Sequence, residues 1–417
     1  MMNGTPNDSD FLNQRRYEES PENGECKRDP FQRDRDRIMH SRAFRRMMHK
    51  TQIFNANKGD HFRNRLTHTL EVSQIARSIG KTLGLNDELI EAIALGHDLG
   101  HTPFGHIGEK TLHRVLMHGD GVEGVKIGEG FKHNFQSLRV VDDLETRCDD
   151  YSGINLTLAV RDGILKHTSL KRDGILIAFP EGHFENIDLN KVSCTFEGQV
   201  VALADEIAQC THDIEDGVRS NLISFDMIYQ DSFIRKIIEK SGIKLNEQTK
   251  TPTYDTRAFV IKGMVGYFIK DACTASRPLI DKYIQTYSPD YSSLQECINE
   301  KCIILSSEVE ENRQRVYEEL IDNRVICSEQ ISISDAKSEY LIKQLFRAFY
   351  THPKQLPDYV LEKYCKRNNM ELNSANLQEE ELKEDPNFIQ TICDHIAGMT
   401  DQFAAREYNR LYVPEYK

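Results

Sequence analysis

The sequence predicts an all-α protein, because apolar residues recur every three or four positions over most of the chain. Two further observations support this fold class. Helix-starting residues precede several of these segments. In addition, only one short stretch, Gly174–Phe179 before Pro180, suits a small β-hairpin. We therefore expect a helical fold in which one β-hairpin is at most a local exception.

The first predicted helices lie in the N-terminal third of the chain. From Pro30 to Gln52, apolar side chains recur at helical spacing and arginines occupy the other faces. Residues 65–84 carry apolar side chains at mostly four-residue steps, which predicts an amphipathic helix. Residues 87–98 follow as a second apolar helix, with Asn86 or Asp87 as its N-cap.

Later segments continue the helical pattern. Thr102 and Pro103 resemble an N-cap followed by proline at the first helical position, so another helix is expected to begin there. Around residues 199–216, apolar side chains again mark one helix face. The same periodicity predicts helices over residues 221–243, 257–285, 291–324 and 334–350. Loops are expected at Asn246–Asp255 and in the acidic stretch Glu371–Asn387.

Length and composition limit the classes of protein that the chain can belong to. It has 417 residues, 39 % of them hydrophobic, which is enough for a large buried core. No run approaches the roughly 18 consecutive apolar residues of a membrane-spanning helix. Residues 1–10 also lack the apolar stretch of a signal peptide. Ten cysteines without a Cys-x-x-Cys pair indicate reduced thiols. We therefore expect a cytoplasmic protein without a membrane partner.

Charge and histidine content point to local chemistry. The net charge of −13 argues against a protein that coats nucleic acid, although it permits a local basic pocket. For the arginines of residues 33–46, a solvated face and an anion-binding surface both remain open. Eight of the fifteen histidines lie within residues 61–133. Such crowding indicates a chemical role, because imidazole is a metal ligand and a proton carrier.

Four residues are candidate metal ligands. His97 and Asp98 close an apolar helix, so both side chains reach one ion only near the helix end. His68 lies upstream on its own helix. Asp205 interrupts an apolar-patterned helix, although a solvent-facing position explains it equally well when it is judged alone.

A polar stripe begins at Asp205. Gln209 and Asp213 follow it at four-residue steps, so the three side chains form one slowly drifting row that spans about 12 Å. A stripe of this length can bind a metal at one end and the hydroxyl groups of a small ligand at the other.

The order His68, His97-Asp98, Asp205 resembles the metal-dependent phosphohydrolases of the HD superfamily. The surrounding sequence is similar to one branch, the deoxyguanosine triphosphate triphosphohydrolase (dGTPase) and dNTP triphosphohydrolase family. The similarity is dense from about residue 30 to 217 and returns near the C-terminus. The matching segments are 33–37, 41–46, 50–54, 59–68, 96–106, 133–137, 212–217 and 396–401.

The resemblance implies a domain order. Residues 31–220 would form the HD metal-dependent phosphohydrolase core, preceded by a flexible arm at 1–30. Residues 221–417 would form a helical C-terminal region that completes the pocket and the subunit interfaces. Family members commonly form homo-oligomers, often hexamers, and some are modulated by dNTPs or single-stranded DNA.

The resemblance also implies the metal site and the catalytic groups. One divalent ion would be held by four residues: His68, His97, Asp98 and Asp205. Two imidazoles and two carboxylates suit Mn²⁺, Mg²⁺ or Fe²⁺. His106 and Glu109, at i and i+3 on one helix face, would form a catalytic dyad that moves a proton at the scissile P–O bond. His133 would act beside them.

Substrate contacts follow from the same resemblance. Three cationic or polar donors would contact the α-phosphate region: Arg65, His101 and His133. Gln52 and Asp213 match positions that read the sugar 3′-hydroxyl. Many relatives carry a tyrosine four residues after the aspartate ligand, which packs against C2′ and excludes ribose. This chain has Gln209 there, so weaker exclusion of the 2′-hydroxyl, or exclusion by another side chain, is expected. Tyr267 and Asp401 are further pocket candidates.

The implied reaction is hydrolysis of a dGTP-like deoxynucleoside triphosphate to deoxynucleoside and tripolyphosphate, by attack of water on the α-phosphorus. Two alternatives stay open. One is another HD-type nucleotidase or phosphodiesterase. The other is a protein that senses nucleotides or single-stranded DNA with little turnover.

Overall fold

A computed structural model of the chain shows an almost entirely helical protein, which confirms the predicted fold class. The structure describes residues 11–19, 28–54, 62–125, 127–168, 183–184, 186–240, 254–287, 300–370 and 379–414. Within these residues, β-structure is limited to isolated bridges, one of which joins Arg15 to Thr157. The predicted hairpin Gly174–Phe179 lies outside the described residues, and so do residues 1–10 of the expected arm.

The helices of the N-terminal half are α1 (Pro30–Met39), α2 (Arg42–Arg46), α3 (Arg65–Leu83), α4 (Asp87–Gly96), α5 (His106–His118), α6 (His133–Arg139), α7 (Leu158–Lys166) and α8 (Phe196–Arg219). All of them except α5 pack around a first hydrophobic core, which also includes residues of the C-terminal half such as Phe233 and Met264. At the centre, α3 packs against both α4 and α8, while α1 and α7 cover α4. Part of the expected arm also joins this core, because Leu12 is only 1 % exposed and Arg15 donates to Asp34 at 2.6 Å.

The C-terminal half is helical as well. Its helices are α9 (Phe225–Gln230), α10 (Ser232–Lys240), α11 (Tyr254–Tyr287), α12 (Ser307–Val316), α13 (Glu329–Thr351), α14 (Asp358–Arg367), α15 (Glu379–Glu384), α16 (Pro386–Ala397) and α17 (Asp401–Tyr412). A π-helical segment, Tyr317–Ile326, continues α12. A second core forms where α13 packs against α5, α16 and α17. Helix α5, from the N-terminal half, therefore belongs to the second core, while α11, from the C-terminal half, packs against α3 and α8 of the first.

Side-chain caps explain where the helices that carry the site begin. The Asn64 side chain accepts from the Thr67 amide at 2.9 Å, and Thr67 bonds back to the Asn64 backbone, which makes a capping box before α3. Asn86 caps α4 by accepting from the Leu89 amide at 3.0 Å. Asn86 is one of the two residues that the sequence predicted as the N-cap of this helix.

Several predicted boundaries were wrong, and each has a local cause. The helix expected to begin at Thr102-Pro103 begins at His106, because Phe104 and Gly105 adopt left-handed backbone conformations with φ of 62° and 61°. The single helix expected over 221–243 is divided at Asp231, whose carboxylate caps α10 through the amides of Phe233 and Ile234.

The two expected loops lie largely outside the described residues. Of Asn246–Asp255, the last two residues already belong to α11. Of Glu371–Asn387, the described part contains α15 and the start of α16, so this part is helical and the loop prediction was wrong there. Among the described residues, none of the helices combines the length and hydropathy that crossing a bilayer requires.

Candidate metal centre and phosphate pocket

His97 lies at the C-terminal end of α4 and points an unsatisfied nitrogen into the protein. Its Nδ1 is 2.6 Å from the Ala94 carbonyl oxygen, so Nδ1–H donates and Nε2 carries the lone pair. The Nε2 atom is buried and has no hydrogen-bond partner. A histidine whose outer nitrogen is anchored and whose inner nitrogen is free has the arrangement of a metal ligand.

Three helices bring the other predicted ligands to the same place. His68 on α3 lies 2.9 Å from Asp205 on α8, measured from Nε2 to Oδ1. The Nε2 of His97 lies 3.5 Å from Asp98 Oδ1 and 3.7 Å from Asp205 Oδ1. Ligand atoms of His68, His97 and Asp98 all lie within 4.8 Å of one another. This donor set fits a divalent cation with mixed nitrogen and oxygen ligands.

Both carboxylates of the set are kept ionised. Burial alone would raise the pKa of Asp205, but the hydrogen bond from His68 and the proximity of His97 lower it below its ordinary value. Asp98 is equally buried, and His101, His97 and Arg65 together lower its pKa. The two groups therefore offer anionic ligands at neutral pH.

Arg65 and His101 flank Asp98. An Arg65 guanidinium nitrogen lies 2.8 Å from Asp98 Oδ2, and His101 Nε2 lies 3.0 Å from Oδ1. The His101 ring stacks on the His133 ring with centroids 3.9 Å apart and planes 14° apart. The three residues expected to contact phosphate thus lie together on one side of the ligand set.

Glu109 on α5 is hydrogen-bonded to His133 rather than to His106. The His133 Nδ1 lies 2.8 Å from Glu109 Oε2. Burial opposes charge on His133, but Glu109 prevails and raises its pKa; reciprocally, His133 lowers the pKa of Glu109 against the effect of burial. His106, the first residue of α5, is exposed. The structure therefore joins Glu109 to a different histidine from the one expected.

Two histidines were missed by the sequence reasoning. His167 follows α7, donates from Nδ1 to the Ile164 carbonyl at 2.7 Å, and places Nε2 3.2 Å from the Nε2 of His133. His212 on α8 lies 3.2 Å from His68, from Nδ1 to Nδ1. His167 had a detectable signal, because it ends an apolar helix as His97 does.

Two residues expected to contact the sugar carry buried oxygen atoms without hydrogen-bond partners. The Oδ2 of Asp213 and the Oε1 of Gln52 are both buried and unbonded. Burial, followed by the nearby carboxylates of Asp216 and Asp205, raises the pKa of Asp213. Unsatisfied acceptors of this kind suit a ligand that donates hydroxyl protons.

Tyr317 covers the Asp213 end of the α8 stripe, and the sequence did not single it out. The Gln209 amide nitrogen donates to the Tyr317 hydroxyl at 3.3 Å. Burial, together with the Asp213 carboxylate against which the hydroxyl lies, raises the pKa of Tyr317. A phenol ring thus lies beside Gln209, although it comes from a different element.

The last two pocket candidates differ in position. Tyr267 contacts α10, with its ring centroid 5.9 Å from that of Phe233 and Lys240 5.5 Å above the ring. The structure does not bring it to the ligand set. Asp401 accepts from the backbone amides of Thr51 at 2.9 Å and Phe104 at 2.8 Å. It therefore fastens the segments that precede Gln52 and α5.

Lys50 is a buried lysine beside the site. Its side-chain nitrogen donates to the carbonyl oxygens of His101 and Ala397. Burial lowers the pKa of Lys50, and the neighbouring Arg46 and Arg65 lower it further. Lys50 therefore links the loop that carries His101 to the end of α16.

Comparison with known proteins agrees with this geometry. The family model of the HD domain matches residues 65–209, and that of the phosphohydrolase-associated domain matches residues 303–410. A deoxyguanosinetriphosphate triphosphohydrolase-like protein of Geobacter metallireducens is 38 % identical over 93 % of this chain and 89 % of its own length. Proteins with the same description from Geobacter sulfurreducens and Nitrosomonas europaea are 37 % and 35 % identical, over 94 % and 97 % of this chain and 91 % and 96 % of their own lengths. The chain therefore belongs to the HD-domain phosphohydrolases, in the family of deoxyguanosinetriphosphate triphosphohydrolase-like proteins.

Proposed function

We propose that this hydrolase cleaves deoxynucleoside triphosphates to deoxynucleoside and tripolyphosphate. The observation that carries the proposal is the position of Asp98. Its Oδ1 lies 3.5 Å from the unsatisfied Nε2 of His97 and 3.0 Å from the Nε2 of His101, while Arg65 donates to Oδ2 at 2.8 Å. Candidate metal ligands and candidate phosphate donors thus meet at one residue, as hydrolysis of a phosphate ester requires.

The metal would be held by His68, His97, Asp98 and Asp205, with Mn²⁺, Mg²⁺ or Fe²⁺ as suitable ions. When bound, such an ion supplies Lewis acidity toward a phosphoryl oxygen and lowers the pKa of a bound water. The anchored Nδ1 of His97 keeps its Nε2 available for this purpose.

The remaining side chains bind and protonate the substrate. Arg65 and His101 offset the negative charge of the triphosphate. Glu109, kept ionised by His133, lies one turn from the exposed His106 on α5. We propose that His106 meets the leaving 5′-oxygen and gives it a proton, with the Glu109 carboxylate favouring the charged imidazole, which the neighbouring His133 opposes.

The sugar would bind along the stripe on α8. Gln52 and Asp213 offer the unsatisfied acceptors for the 3′-hydroxyl. With Gln209 in place of the tyrosine of many relatives, we expect weaker discrimination against ribose, or discrimination by Tyr317, whose hydroxyl contacts Gln209. Rates for dGTP and GTP test this. Both expectations would be refuted if the preference for dGTP were as large as in tyrosine-containing relatives and did not change when Tyr317 is replaced.

Product analysis tests the reaction itself. The protein is incubated with Mn²⁺ and each dNTP, and we expect release of tripolyphosphate. Asp98→Ala should abolish it, whereas Asp226→Ala, at an exposed aspartate on α9, should leave it unchanged. Pyrophosphate or monophosphate would instead indicate another HD-type nucleotidase or phosphodiesterase. Binding without product would indicate a sensing protein.

A basic cavity supports the expectation of regulatory ligands. It measures about 640 Å³, lies between α2, α14 and α16, and is lined by six arginine and lysine side chains: Arg42, Arg46, Lys50, Lys363, Arg367 and Arg406. Lys50 connects it to the His101 carbonyl. We therefore place a dNTP or single-stranded DNA regulator here, within a homo-oligomer such as a hexamer. Rates at a fixed substrate level with a second dNTP added, for wild type and Arg406→Ala, test this placement, and light scattering tests the oligomer.

A further inference from the structure

His212 is a buried histidine that the proposed function leaves without a role. It lies on α8, seven residues after Asp205, so about two helical turns place both side chains on one face of the helix. His212 is 3 % exposed, and its Nδ1 lies 3.2 Å from the Nδ1 of His68. One predicted metal ligand is therefore in contact with a second imidazole, through the ring nitrogen that does not face Asp205.

The Glu71 carboxylate decides the direction of the hydrogen bonds in this pair. Its Oε2 lies 3.0 Å from His212 Nε2, and an ionised carboxylate only accepts, so His212 donates from Nε2. A neutral imidazole carries one proton, so His212 Nδ1 holds a lone pair and accepts from the Nδ1–H of His68. The lone pair of His68 is consequently at Nε2, the atom that lies 2.9 Å from Asp205 Oδ1.

The opposite direction is electrostatically unfavourable. His212 would have to carry protons on both ring nitrogens in order to donate to Glu71 and to His68 at once. This would place an imidazolium 3.2 Å from a ring whose other nitrogen binds a divalent cation. Two positive charges this close repel strongly in a buried site.

His97 obtains the equivalent support from a single backbone atom. Its Nδ1 donates to the Ala94 carbonyl near the C-terminal end of α4, where carbonyl oxygens lack intrahelical partners. His68 lies inside α3, where the carbonyl oxygens accept intrahelical hydrogen bonds. The acceptor for its Nδ1 therefore has to be a side chain, and α8, which packs against α3, supplies it.

Glu71 is itself held in place at the protein surface. Its side chain is 44 % exposed, and the Arg63 Nε lies 2.7 Å from its Oε2. The same guanidinium lies 2.5 Å from Glu215 and 3.3 Å from Asp216, both on α8. Arg63 therefore ties the outer end of this hydrogen-bond chain to the helix that carries His212.

We propose that His212 and Glu71 are positioning residues, which hold His68 in the tautomer and orientation that a metal ligand requires. Glu71 fixes the His212 ring and His212 fixes the His68 ring, while neither of them touches the ion or the substrate. Outer partners of this kind typically contribute about 10–100-fold to metal affinity. The inference rests on the proposed metal centre and adds two residues to it.

Affinity for Mn²⁺ tests the hydrogen-bond chain without nucleotide and without turnover. Metal-free protein is titrated with MnCl₂, and the free ion is measured by electron paramagnetic resonance. Glu71→Gln should weaken Mn²⁺ binding about tenfold, because an amide can donate as well as accept and no longer selects the His212 tautomer. Glu88→Gln is the matched control, since Glu88 is 40 % exposed and lies 2.8 Å from an Arg35 nitrogen, and it should bind Mn²⁺ as the wild type does.

Two substitutions at His212 separate positioning from packing. His212→Leu fills the buried space without an acceptor and should weaken Mn²⁺ binding about 10–100-fold. His212→Asn returns an acceptor oxygen close to the position of Nδ1 and should recover most of this loss. A purely structural role predicts the opposite order, because asparagine fills the space less well than leucine. Glu71→Gln, at a partly exposed position, keeps the test decisive if His212→Leu does not fold.

The possible outcomes keep this role apart from the proposed reaction. Equal Mn²⁺ affinity for wild type and Glu71→Gln, or weaker binding by His212→Asn than by His212→Leu, would overturn the positioning role alone. A wild type that binds no Mn²⁺ would refute the metal centre and the positioning role with it. Affinities in the expected order, without release of tripolyphosphate from dNTPs, would support the positioning role and refute only the reaction.

Discussion

The Tyr317 hydroxyl lies beside the stripe on α8 where we propose that the sugar binds. Tyr317 accepts from Gln209 and lies against Asp213, so its ring and its hydroxyl make separate contributions. The ring closes space beside the stripe on α8, whereas the hydroxyl holds two polar groups in place.

Substitutions at Tyr317 separate these contributions. If the ring excludes a ribose hydroxyl, Tyr317→Ala should lower the preference for dGTP over GTP at least tenfold, which corresponds to about 1.4 kcal/mol. Tyr317→Phe keeps the ring and should retain most of the preference while raising KM. Rates for both nucleotides measure this, and equal preference in all three proteins would contradict it. Tyr340→Phe, at an exposed tyrosine on α13, is the control.

Residues that only tertiary structure brings together could not be found from sequence. His68, His97, Asp98 and Asp205 were expected to meet, because each lies on a recognisable helix in a familiar order. Their roles as ligands stay a prediction. The pairing of Glu109 with His133 was missed, since spacing along α5 favours His106 and says nothing about α6. The sequence pattern around Tyr317 did not indicate a role in the pocket, because that role depends on how closely its π-helical segment approaches α8.

At the scale of elements, the start of α17 fastens two segments that border the pocket. Asp401 accepts from the buried hydroxyl and amide of Thr51 and from the half-buried amide of Phe104. Helix α17 therefore sets where the Gln52 segment and the turn before α5 lie.

Replacing this carboxylate should loosen both segments at once. Asp401→Ala leaves the amides of Thr51 and Phe104 without their acceptor, which costs about 1–3 kcal/mol of unfolding free energy. We also expect KM to rise, since Gln52 loses its anchor. Urea unfolding and steady-state kinetics measure the two effects. Asp358→Ala, at the exposed first residue of α14, should change neither; an unaltered KM in Asp401→Ala would contradict the positioning role.

Helix α16 carries a histidine that should make stability depend on pH. Burial lowers the pKa of His395 to about 4, and its ring lies 5.5 Å from that of Phe349. In the unfolded chain the pKa of this histidine is about 6.5, so between the two pKa values the unfolded state binds a proton that the folded state does not. The contribution of the neutral His395 to the unfolding free energy is therefore present above pH ~6.5 and is lost as the pH falls toward 4.

The expected loss between pH 7 and pH 5 is about 2 kcal/mol. The glutamine of His395→Gln does not titrate. Between pH 7 and pH 5 the unfolding free energy of this variant should therefore fall by about 2 kcal/mol less than that of the wild type. Urea unfolding at the two pH values gives the difference, with the exposed His352→Gln as control. Equal pH dependence in wild type and His395→Gln would show that the ring is not kept neutral.

The start of a helix could be predicted from the sequence where the capping side chain and its partner lie within a few residues of each other. Asn86 could be named because its hydrogen bond to Leu89 stays within one helical turn. The start of α5 could not, because a helix signal at Thr102-Pro103 is overridden by two left-handed residues, and nothing nearby in the sequence requires that conformation of Phe104. Asp231 divides a periodic segment for a similar reason, since it caps a new helix rather than continuing the old one.

For the whole molecule, the site lies where the two cores meet. Helices α3, α4 and α8 of the first core supply the ligand set, and α5, packed against α13 of the second core, supplies Glu109. An ion bound at this junction would connect elements of the native state that separate on unfolding.

Mn²⁺ should therefore stabilise the entire fold. A ligand present at one hundred times its dissociation constant, and bound only by the native state, adds about 2.7 kcal/mol. We expect the melting temperature to rise with Mn²⁺ and to return to the metal-free value after chelation. Asp205→Ala should lose this response, whereas Asp226→Ala should keep it. A response of equal size in Asp205→Ala would show that the stabilising ion binds elsewhere.

The buried side chain of Lys50 constrains how small this hydrolase can be made. A chain shortened to its first 220 residues retains every predicted metal ligand. It lacks the Ala397 carbonyl oxygen that accepts from Lys50, and it lacks the Asp401 side chain that accepts from the Thr51 amide. Lys50 would then lose one of its two carbonyl partners, and the segment before Gln52 would lose its anchor. We therefore expect the C-terminal helices to be required for activity, so a shortened or grafted version of this hydrolase should retain them.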